Sequence, residues 1–284
     1  MKDYKIETIL VPTDFSETAG KALEAAIELT KKIKAKLVLI HVAEMTGLIA
    51  PVEIVTIGII NEQMYEGANE KLKSLATKIK ATHGIKIDYR TYNGNVYDNI
   101  IRAAHLYNAE LIIMGSYGTS GIKEWLFGSN AYRVVNNSTV PVLTINRNSG
   151  MDSFKKIVFP FNGNSLSLKK AGEIIFLAKI FNSTIRLFGF SKKLNATKLG
   201  MIMLELNGIK LTGQFERENI KCSVIIREGD DYAAEILKYA DEISADIISV
   251  ITYKGQSDDT ILLSKPDKKL VNHSRFPVLS VPVE

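Results

Sequence analysis

The chain has 284 residues, of which 46% are hydrophobic and 24% are charged, and its formal net charge is +5. This composition is typical of a soluble globular protein, and no apolar stretch approaches the roughly 20 residues that a membrane-spanning helix needs. Cys222 is the only cysteine, which excludes an intrachain disulfide and fits a reducing cytoplasm. Because the charge is mild and the lysines are spread along predicted helices, we expect neither a nucleic-acid partner nor a membrane partner.

Strands and helices are predicted to alternate through the first half of the chain. The strands lie near residues 6–11, 36–42, 86–92, 110–114 and 141–145, and the helices near residues 17–34, 61–83, 96–107 and 129–136. The second strand is a nearly continuous apolar run, as expected for a strand covered on both faces. The alternation predicts a doubly wound parallel α/β sheet. Since no signal peptide precedes the first strand, we expect a cytoplasmic protein.

The turn after the first predicted strand carries a carboxylate, Asp14. In an open parallel sheet, ligands bind outside the carboxyl ends of the strands, where the strand order reverses. A carboxylate there is suited to accept a hydrogen bond from a ribose hydroxyl or an adenine amine. Ser16 is expected to cap the next helix. The alternative, in which Asp14 is only a turn residue, stays open. For His41, at the end of the second strand, we favour a structural role.

Two glycines, Gly115 and Gly118, follow the fourth predicted strand, and Gly128 and Ser129 precede the next helix. Glycine after a strand lets a polyphosphate approach the backbone without a Cβ atom in the way. We expect Ser129 to be the N-cap of the helix, whose free N–H groups and dipole would face an anion. The spacing therefore indicates a phosphate-binding loop, although a simple strand-turn-helix connection is an open alternative.

Together these segments resemble the universal stress protein family. The resemblance rests on the run VPTDFS at residues 11–16 and on the spacing Gly115-x2-Gly118-x9-Gly128-Ser129. The run STVPVLTI at residues 138–145 also looks like the closing strand of that family. The glycine spacing is similar to that of the ATP-binding branch of the family.

The resemblance implies an adenine-nucleotide site in the first half of the chain. The residues that it implies are Pro12, Thr13, Asp14, Val42, Met114, Gly115, Gly118, Gly128, Ser129 and Asn130. Pro12, Thr13 and Asp14 would flank adenosine, and Val42 would face the adenine edge. Met114 and Gly115 would line the ribose. The phosphates would be surrounded by Gly118, Gly128, Ser129 and Asn130. The implied ligand is ATP, with AMP and ADP as alternatives, and a magnesium ion would fit between Asp14 and the ligand's own oxygens.

The chain is a tandem repeat. Pro160, which ends the run KKIVFP, lies 148 residues after Pro12, and Pro277 lies 136 residues after Pro141 in a second matching run. The second copy is therefore 12 residues shorter. We predict a nucleotide-binding domain at residues 1–147 and a second domain at residues 152–284. By resemblance, both would be five-stranded, Rossmann-like domains of the adenine nucleotide alpha hydrolase-like type, packed as a pseudo-dimer through their closing strands.

The second copy has changed at every signature position. Asp14 corresponds to Asn162, and Gly115 corresponds to Ile251. The remaining signature positions are occupied by Lys254, Ser264 and Lys265. Side chains at the former glycine positions would fill the space of a phosphate, so we predict that the second site has lost the triphosphate. An anion held by the two lysines is the alternative.

The favoured function is a nucleotide-binding module for stress response or signalling. No metal-binding histidine spacing and no P-loop are present in the sequence, so we expect weak ATP hydrolysis at most. A slow ATPase remains an alternative, as does a scaffold or a carrier of a small apolar ligand that uses the second domain. A further homodimer is left open, and so is the role of the apolar segment at residues 45–60, for which we favour packing over a lid or a partner surface.

Overall fold

The computed structural model describes residues 4–44, 54–116, 128–146, 154–162, 166–192, 197–253, 270 and 274–283. The first half contains β1 (Thr8–Pro12), α1 (Glu17–Ile33), β2 (Lys36–Ala43), α2 (Ile54–His83), β3 (Lys86–Asn93), α3 (Val96–Leu106), β4 (Leu111–Gly115), α4 (Ser129–Asn137) and β5 (Val142–Ile145). The strands agree with the predicted ones to within two residues at either end.

The second half repeats this order of elements. It contains β6 (Lys156–Phe161), α5 (Leu166–Lys169), α6 (Ala171–Phe181), β7 (Thr184–Lys192), α7 (Lys198–Arg217), β8 (Cys222–Gly229), α8 (Tyr232–Glu242), β9 (Ile247–Tyr253) and β10 (Val278–Val283). Two short helices, α5 and α6, take the place of the single helix α1. Within the described ranges, no helix combines the length and the apolar character that crossing a membrane requires.

All ten strands form one sheet, in the order β3-β2-β1-β4-β5-β10-β9-β6-β7-β8. Neighbouring strands are parallel within each half, whereas β5 and β10 pair antiparallel, with Val278 opposite Thr144 and Ser280 opposite Val142. Each half therefore has the doubly wound order 3-2-1-4-5, and the two closing strands join the halves. The predicted fold, a pseudo-dimer of two parallel α/β domains, is confirmed.

One face of the sheet carries a hydrophobic core that both halves share. This core extends from Ile9 and Leu29 in the first half to Phe159 and Phe181 in the second. The Tyr4 ring meets the Phe176 ring edge to face, with 5.4 Å between their centroids. On the opposite face each half has its own core, built around α3 and α4 in one half and around α8 in the other. The halves are thus joined by side-chain packing as well as by strand pairing.

The region between β2 and α2 differs from the sequence-based expectation. Helix α2 begins at Ile54, seven residues before the predicted start at residue 61, so the end of the apolar segment 45–60 is helical. Residues 45–53 lie outside the described ranges. Residues on the buried face of α7 come 136 positions after their counterparts on α2 in the chain. Residues of β7 come 148 positions after their counterparts on β2. The 12 residues missing from the second half therefore belong to this connection.

Candidate functional site

A cavity of about 480 Å³ opens at the carboxyl ends of β1, β2 and β4. Because β1 pairs with β2 on one side and with β4 on the other, the strand order reverses here, which is where doubly wound sheets bind ligands. The cavity brings together nine of the ten residues that the sequence singled out: Pro12, Thr13, Asp14, Val42, Met114, Gly115, Gly128, Ser129 and Asn130. The tenth, Gly118, lies outside the described residues.

The turn between β1 and α1 is held by a backbone hydrogen bond to β2 and by side chains of the turn that accept from nearby N–H groups. The Thr13 N–H donates to the carbonyl of Ile40 at 2.8 Å, which fixes the turn to β2. Asp14 Oδ1 accepts from the N–H of Ser16 at 3.0 Å. Ser16 is the N-cap of α1, as predicted, and its Oγ accepts from the N–H of Ala19 at 3.2 Å. These contacts keep the Asp14 carboxylate at the rim of the cavity.

A stack of three side chains supports the same turn. Phe15 has a left-handed backbone, with φ of 63°, which is strained for a residue with a bulky side chain. The Phe15 ring packs on the His41 ring, with 4.7 Å between centroids. Lys71 Nζ lies 4.3 Å from the centroid of the Phe15 ring. His41 Nδ1 lies 2.8 Å from the carbonyl oxygen of Thr13, and because a carbonyl can only accept, Nδ1 is the donor. His41 therefore has a structural contact of the kind that was favoured for it, and it also lines the cavity.

Gly115 is bare for a reason that the sequence did not suggest. A Cβ atom added there would lie 3.1 Å from Thr18 Cγ2 and 3.2 Å from the N atom of Ala19. The backbone of Gly115 does not have a positive φ. Glycine at this position therefore lets the first turn of α1 pack against the end of β4. Close packing of α1 on β4 is thus a second reason for glycine at this position, beside the predicted approach of a phosphate, and Gly115 lines the cavity.

The N-cap of helix α4 lies one residue before the predicted one. The N-cap is Gly128, whose carbonyl accepts the N–H of Tyr132 at 3.0 Å, and Ser129 is the first helical residue. The prediction that Ser129 is the N-cap is therefore wrong, because the extended backbone that an N-cap needs is at Gly128. A glycine has no side chain to cap the helix, and no side-chain hydrogen bond caps it. The N–H groups of the first turn therefore face the cavity without a capping side chain, next to the positive end of the helix dipole.

The cavity also has an apolar wall that the sequence reasoning missed. This wall is formed by Met64 and Ala68 of α2 and by Val96 and Ile100 of α3. Val96 and Ile100 lie at the start of α3, at the carboxyl edge of the sheet. Met64 and Ala68 lie well inside α2, which begins at Ile54. Apolar residues one turn apart on these two helices were the available signal. The site thus combines an apolar wall with a carboxylate and a helix N-terminus.

The equivalent position in the second half is filled by an aromatic ring. Pro12 pairs with Ile40 in the first half, and Pro160 pairs with Phe188 in the second. The residues that follow are therefore equivalent, so Phe161 corresponds to Thr13 and Gly189 corresponds to His41. Phe161 is 2% exposed, and its Cζ atom would lie 3.0 Å from a Cβ atom at Gly189. The larger residue of the pair is therefore on β2 in the first half and on β6 in the second, and the Phe161 ring lies against Gly189.

Further bulky residues stand at the counterparts of other cavity residues. Phe190, the counterpart of Val42, meets Tyr232, the counterpart of Val96, edge to face at 5.5 Å between centroids. Ile251, which replaces Gly115, is 3% exposed in the shared core. Strand β9 continues beyond it to Tyr253, whereas β4 ends at Gly115. The counterparts of the other signature positions, Lys254, Ser264 and Lys265, lie outside the described residues.

Comparison with known proteins gives a consistent family. Residues 5–146 and 153–282 each match the Universal stress protein family. Universal stress protein YxiE of Bacillus subtilis is 33% identical over 145 residues, which are 48% of this chain and 97% of that protein. A universal stress protein of Methanocaldococcus jannaschii is 30% identical over 139 residues, covering 49% of this chain and 81% of that protein.

The tandem arrangement also has a structural counterpart. The crystal structure of a universal stress protein from Archaeoglobus fulgidus superposes with a TM-score of 0.78 at 24% identity, covering 98% of this chain and 99% of that one. Its likeness extends over both halves, so it shows the same fold for the whole chain. From these matches, the chain belongs to the universal stress protein family, as a tandem of two such domains.

Proposed function

We propose that the first half binds one adenine nucleotide, ATP in the first place, and that the second half binds none. The single observation that carries this proposal is the cavity of about 480 Å³, which is lined by nine of the ten residues that the family resemblance implies. A volume of this order is that of a site for a nucleotide-sized molecule. The proposed module acts in the cytoplasm in stress response or signalling.

The lining residues suit the parts of such a ligand. Asp14, anchored through Oδ1 by the Ser16 N–H, is placed to accept from a ribose hydroxyl. The apolar wall of Met64, Val96 and Ile100 offers a surface to a purine ring, and the main chain of Val42 offers polar groups to its edge. We therefore assign the base to the apolar wall and the sugar to the side of Asp14.

The phosphates are assigned to the start of α4. Gly128, Ser129 and Asn130 line the cavity there, and the uncapped N–H groups of the first turn are natural donors to an anion. No group of three or more metal-ligating side chains occurs in the described part of the chain. A magnesium ion that accompanies ATP would therefore be held mainly by the phosphate oxygens and Asp14.

The aromatic filling of the second half supports a stoichiometry of one. Phe161 and Ile251 are buried where Thr13 and Gly115 line the first cavity. For the same reason we do not propose an apolar ligand in the second half. One nucleotide per chain is the expected result.

Calorimetry of the full chain with ATP tests the proposal. We expect one site per chain, and Asp14→Ala to weaken binding by about tenfold to a hundredfold, because it removes a charged hydrogen-bond acceptor. Asn162→Ala, at the matched position of the second half, is the control and should leave binding unchanged. Two sites per chain, or no heat with ATP, ADP or AMP, would contradict the proposal.

The same samples distinguish a binding module from a slow ATPase. A module holds ATP stoichiometrically, with no ADP beyond one equivalent of protein. ADP that accumulates past one equivalent, at a rate proportional to the protein concentration, and that is lost in Asp14→Ala, would instead favour the enzyme.

A further inference from the structure

Helix α7 exposes a row of large apolar side chains. Of the nine large apolar residues that are exposed in the described part of the chain, five lie on this helix: Leu199, Ile202, Met203, Leu206 and Ile209. Leu199 and Ile209 are each 69% exposed. Their spacing of three and four residues places them on one side of the helix. The opposite side, with Leu204, Leu211 and Phe215, is buried against the sheet.

The first half provides an internal comparison for this row. Helices α2 and α7 bury the same face, since the buried residues Leu72 and Ile79 correspond to the buried residues Gly208 and Phe215 at a shift of 136 residues. At the same shift, four of the five residues of the row on α7 correspond to exposed polar residues on α2, and Met203 corresponds to Gly67. The pairs are Gln63 and Leu199, Glu66 and Ile202, Glu70 and Leu206, and Lys73 and Ile209. The fold thus accepts polar residues at all four positions, and the apolar row on α7 is not required for folding.

The order of residues within the row is that of a short coiled coil. Leu199 and Leu206 lie seven residues apart, as do Ile202 and Ile209, so leucine occupies both a positions and isoleucine both d positions of a heptad. In free coiled coils this order favours more than two helices, but here the sheet covers the opposite side of α7 and leaves one face of the helix for one partner. The flanking g and e positions of this heptad hold Glu205 and Lys210, and both are exposed. When two copies of α7 lie parallel, each g residue faces the following e residue of the other copy. Glu205 of one copy then meets Lys210 of the other, twice across the pair.

We propose that α7 is a docking surface for a second copy of this chain, with the two α7 helices paired in parallel around a two-fold axis. The antiparallel arrangement that stacks the same four apolar residues would bring Glu205 next to its own counterpart. Like charges in contact are unfavourable, so the charges select the parallel arrangement. A membrane surface is disfavoured, because the flanks of the row carry Glu205 as well as Lys210 rather than lysine and arginine alone.

The proposed contact is independent of the nucleotide site. Helix α7 covers β7 and β8, at the end of the sheet farthest from β2 and β3, whereas the cavity lies at β1, β2 and β4. A helix of 20 residues is about 30 Å long. A single helix pair buries less than the about 1,600 Å² of a standard interface, so we expect reversible association with a micromolar dissociation constant.

Sedimentation equilibrium of the full chain over a range of concentrations tests the association. The variant Leu206→Glu/Ile209→Lys introduces the charge types that α2 has at the matched positions, so its fold should be retained. We expect it to weaken the dimer by about a hundredfold or more, because buried apolar side chains are lost from both copies. The matched control is Glu70→Gln on α2, which should leave the dimer unchanged. Circular dichroism checks that each variant is folded.

Two further measurements test the parallel arrangement. In a Cys222→Ser background, Ile209→Cys alone should form an interchain disulfide on mild oxidation, because a parallel pair brings the two copies of residue 209 together. In the antiparallel arrangement, a disulfide would need cysteine at both 199 and 209. Glu205→Lys should weaken the dimer, and Glu205→Lys/Lys210→Glu should restore it.

The proposal is overturned by a chain that stays monomeric at high micromolar concentration, or by a dimer that Leu206→Glu/Ile209→Lys leaves unchanged. It is also overturned if the monomeric chain instead binds vesicles of zwitterionic or anionic lipid through α7. A dimer that forms a disulfide only with cysteines at both 199 and 209 would contradict the parallel arrangement.

Discussion

The ring of Phe161 lies directly over the bare backbone of Gly189, where a Cβ atom would come within 3.0 Å of Phe161 Cζ. In the first half, the same two positions hold Thr13 and His41, joined by a hydrogen bond of 2.8 Å between the His41 ring and the Thr13 carbonyl. The two halves therefore fill these positions differently. In the first half, Thr13 and His41 line a cavity. In the second half, the Phe161 ring packs against the backbone of Gly189.

This exchange predicts coupling between the two positions of the second half. Phe161→Thr removes a buried ring and should lower the free energy of unfolding by about 3 kcal/mol or more. Gly189→His places a side chain against that ring and should lower it by about 1–3 kcal/mol. The double variant should lose clearly less than the sum, because histidine then fills the space that the ring has left. Urea denaturation of the four proteins measures the coupling, and strict additivity would show that the positions do not share this space.

Gly115 predicts a loss of stability rather than only a loss of binding. Gly115→Ala adds a methyl group 3.1–3.2 Å from Thr18 and Ala19 and should destabilise the ligand-free protein by about 1–3 kcal/mol. The matched control is Gly67→Ala on α2, where an added Cβ meets no atom within 4 Å. That change should stabilise the helix by about 1 kcal/mol. A Gly115→Ala protein with wild-type stability but weakened ATP binding would support the original phosphate interpretation.

The two helix starts at the cavity predict different costs for removing a serine. Ser16→Ala removes the hydroxyl that accepts from Ala19 N–H and should cost about 1 kcal/mol of stability. Ser129→Ala should cost little in the ligand-free protein, because Gly128 rather than Ser129 is the N-cap of α4. Thermal unfolding of both variants without nucleotide makes the comparison. An equal loss for the two serines would mean that Ser129 also caps its helix.

Cys222 predicts slow thiol chemistry in the folded protein. Burial raises the pKa of the Cys222 thiol to about 11. An unfolded cysteine has a pKa of about 8.5, so at pH 8 iodoacetamide should react about a hundredfold faster in urea than with the native chain. Because the folded thiol has the higher pKa, only the unfolded chain releases this proton between about pH 8.5 and pH 11. The contribution of Cys222 to the free energy of unfolding is therefore fully present below about pH 8.5 and is lost as the pH rises towards 11. Mass spectrometry of timed samples measures the rates. Equal rates in both states would contradict the burial.

The fold was largely predictable because the relevant signals are local or repeated. Buried parallel strands such as Lys36–Ala43 are continuous apolar runs, and Pro12 and Pro160 mark the same strand end in both copies. The start of α2 at Ile54 was missed, since β-branched residues after residue 51 indicate a strand as readily as a helix. Only tertiary context settles such a segment.

The site was predictable in its members but less so in the reasons for them. Serine is a preferred N-cap, so the sequence favoured Ser129, yet the extended backbone lies at Gly128. Gly115 reads as a loop glycine, and its contact with Thr18 becomes visible only when α1 is packed on β4. The exchange of Thr13 and His41 for Phe161 and Gly189 requires the pairing of neighbouring strands, which a single sequence does not display. The repeat alignment, examined at both strands together, was the signal that could have found it.

The antiparallel joint between β5 and β10 also governs how this protein responds to dilution. In an assembly of separate subunits, such a strand pair dissociates when the subunit concentration falls below the dissociation constant. Here both strands belong to one covalent chain, so their local concentration is fixed by the tether and the joint survives at any dilution. Folding of the ten-stranded sheet is therefore a first-order process, and its unfolding midpoint should depend on concentration only through contacts made outside that sheet.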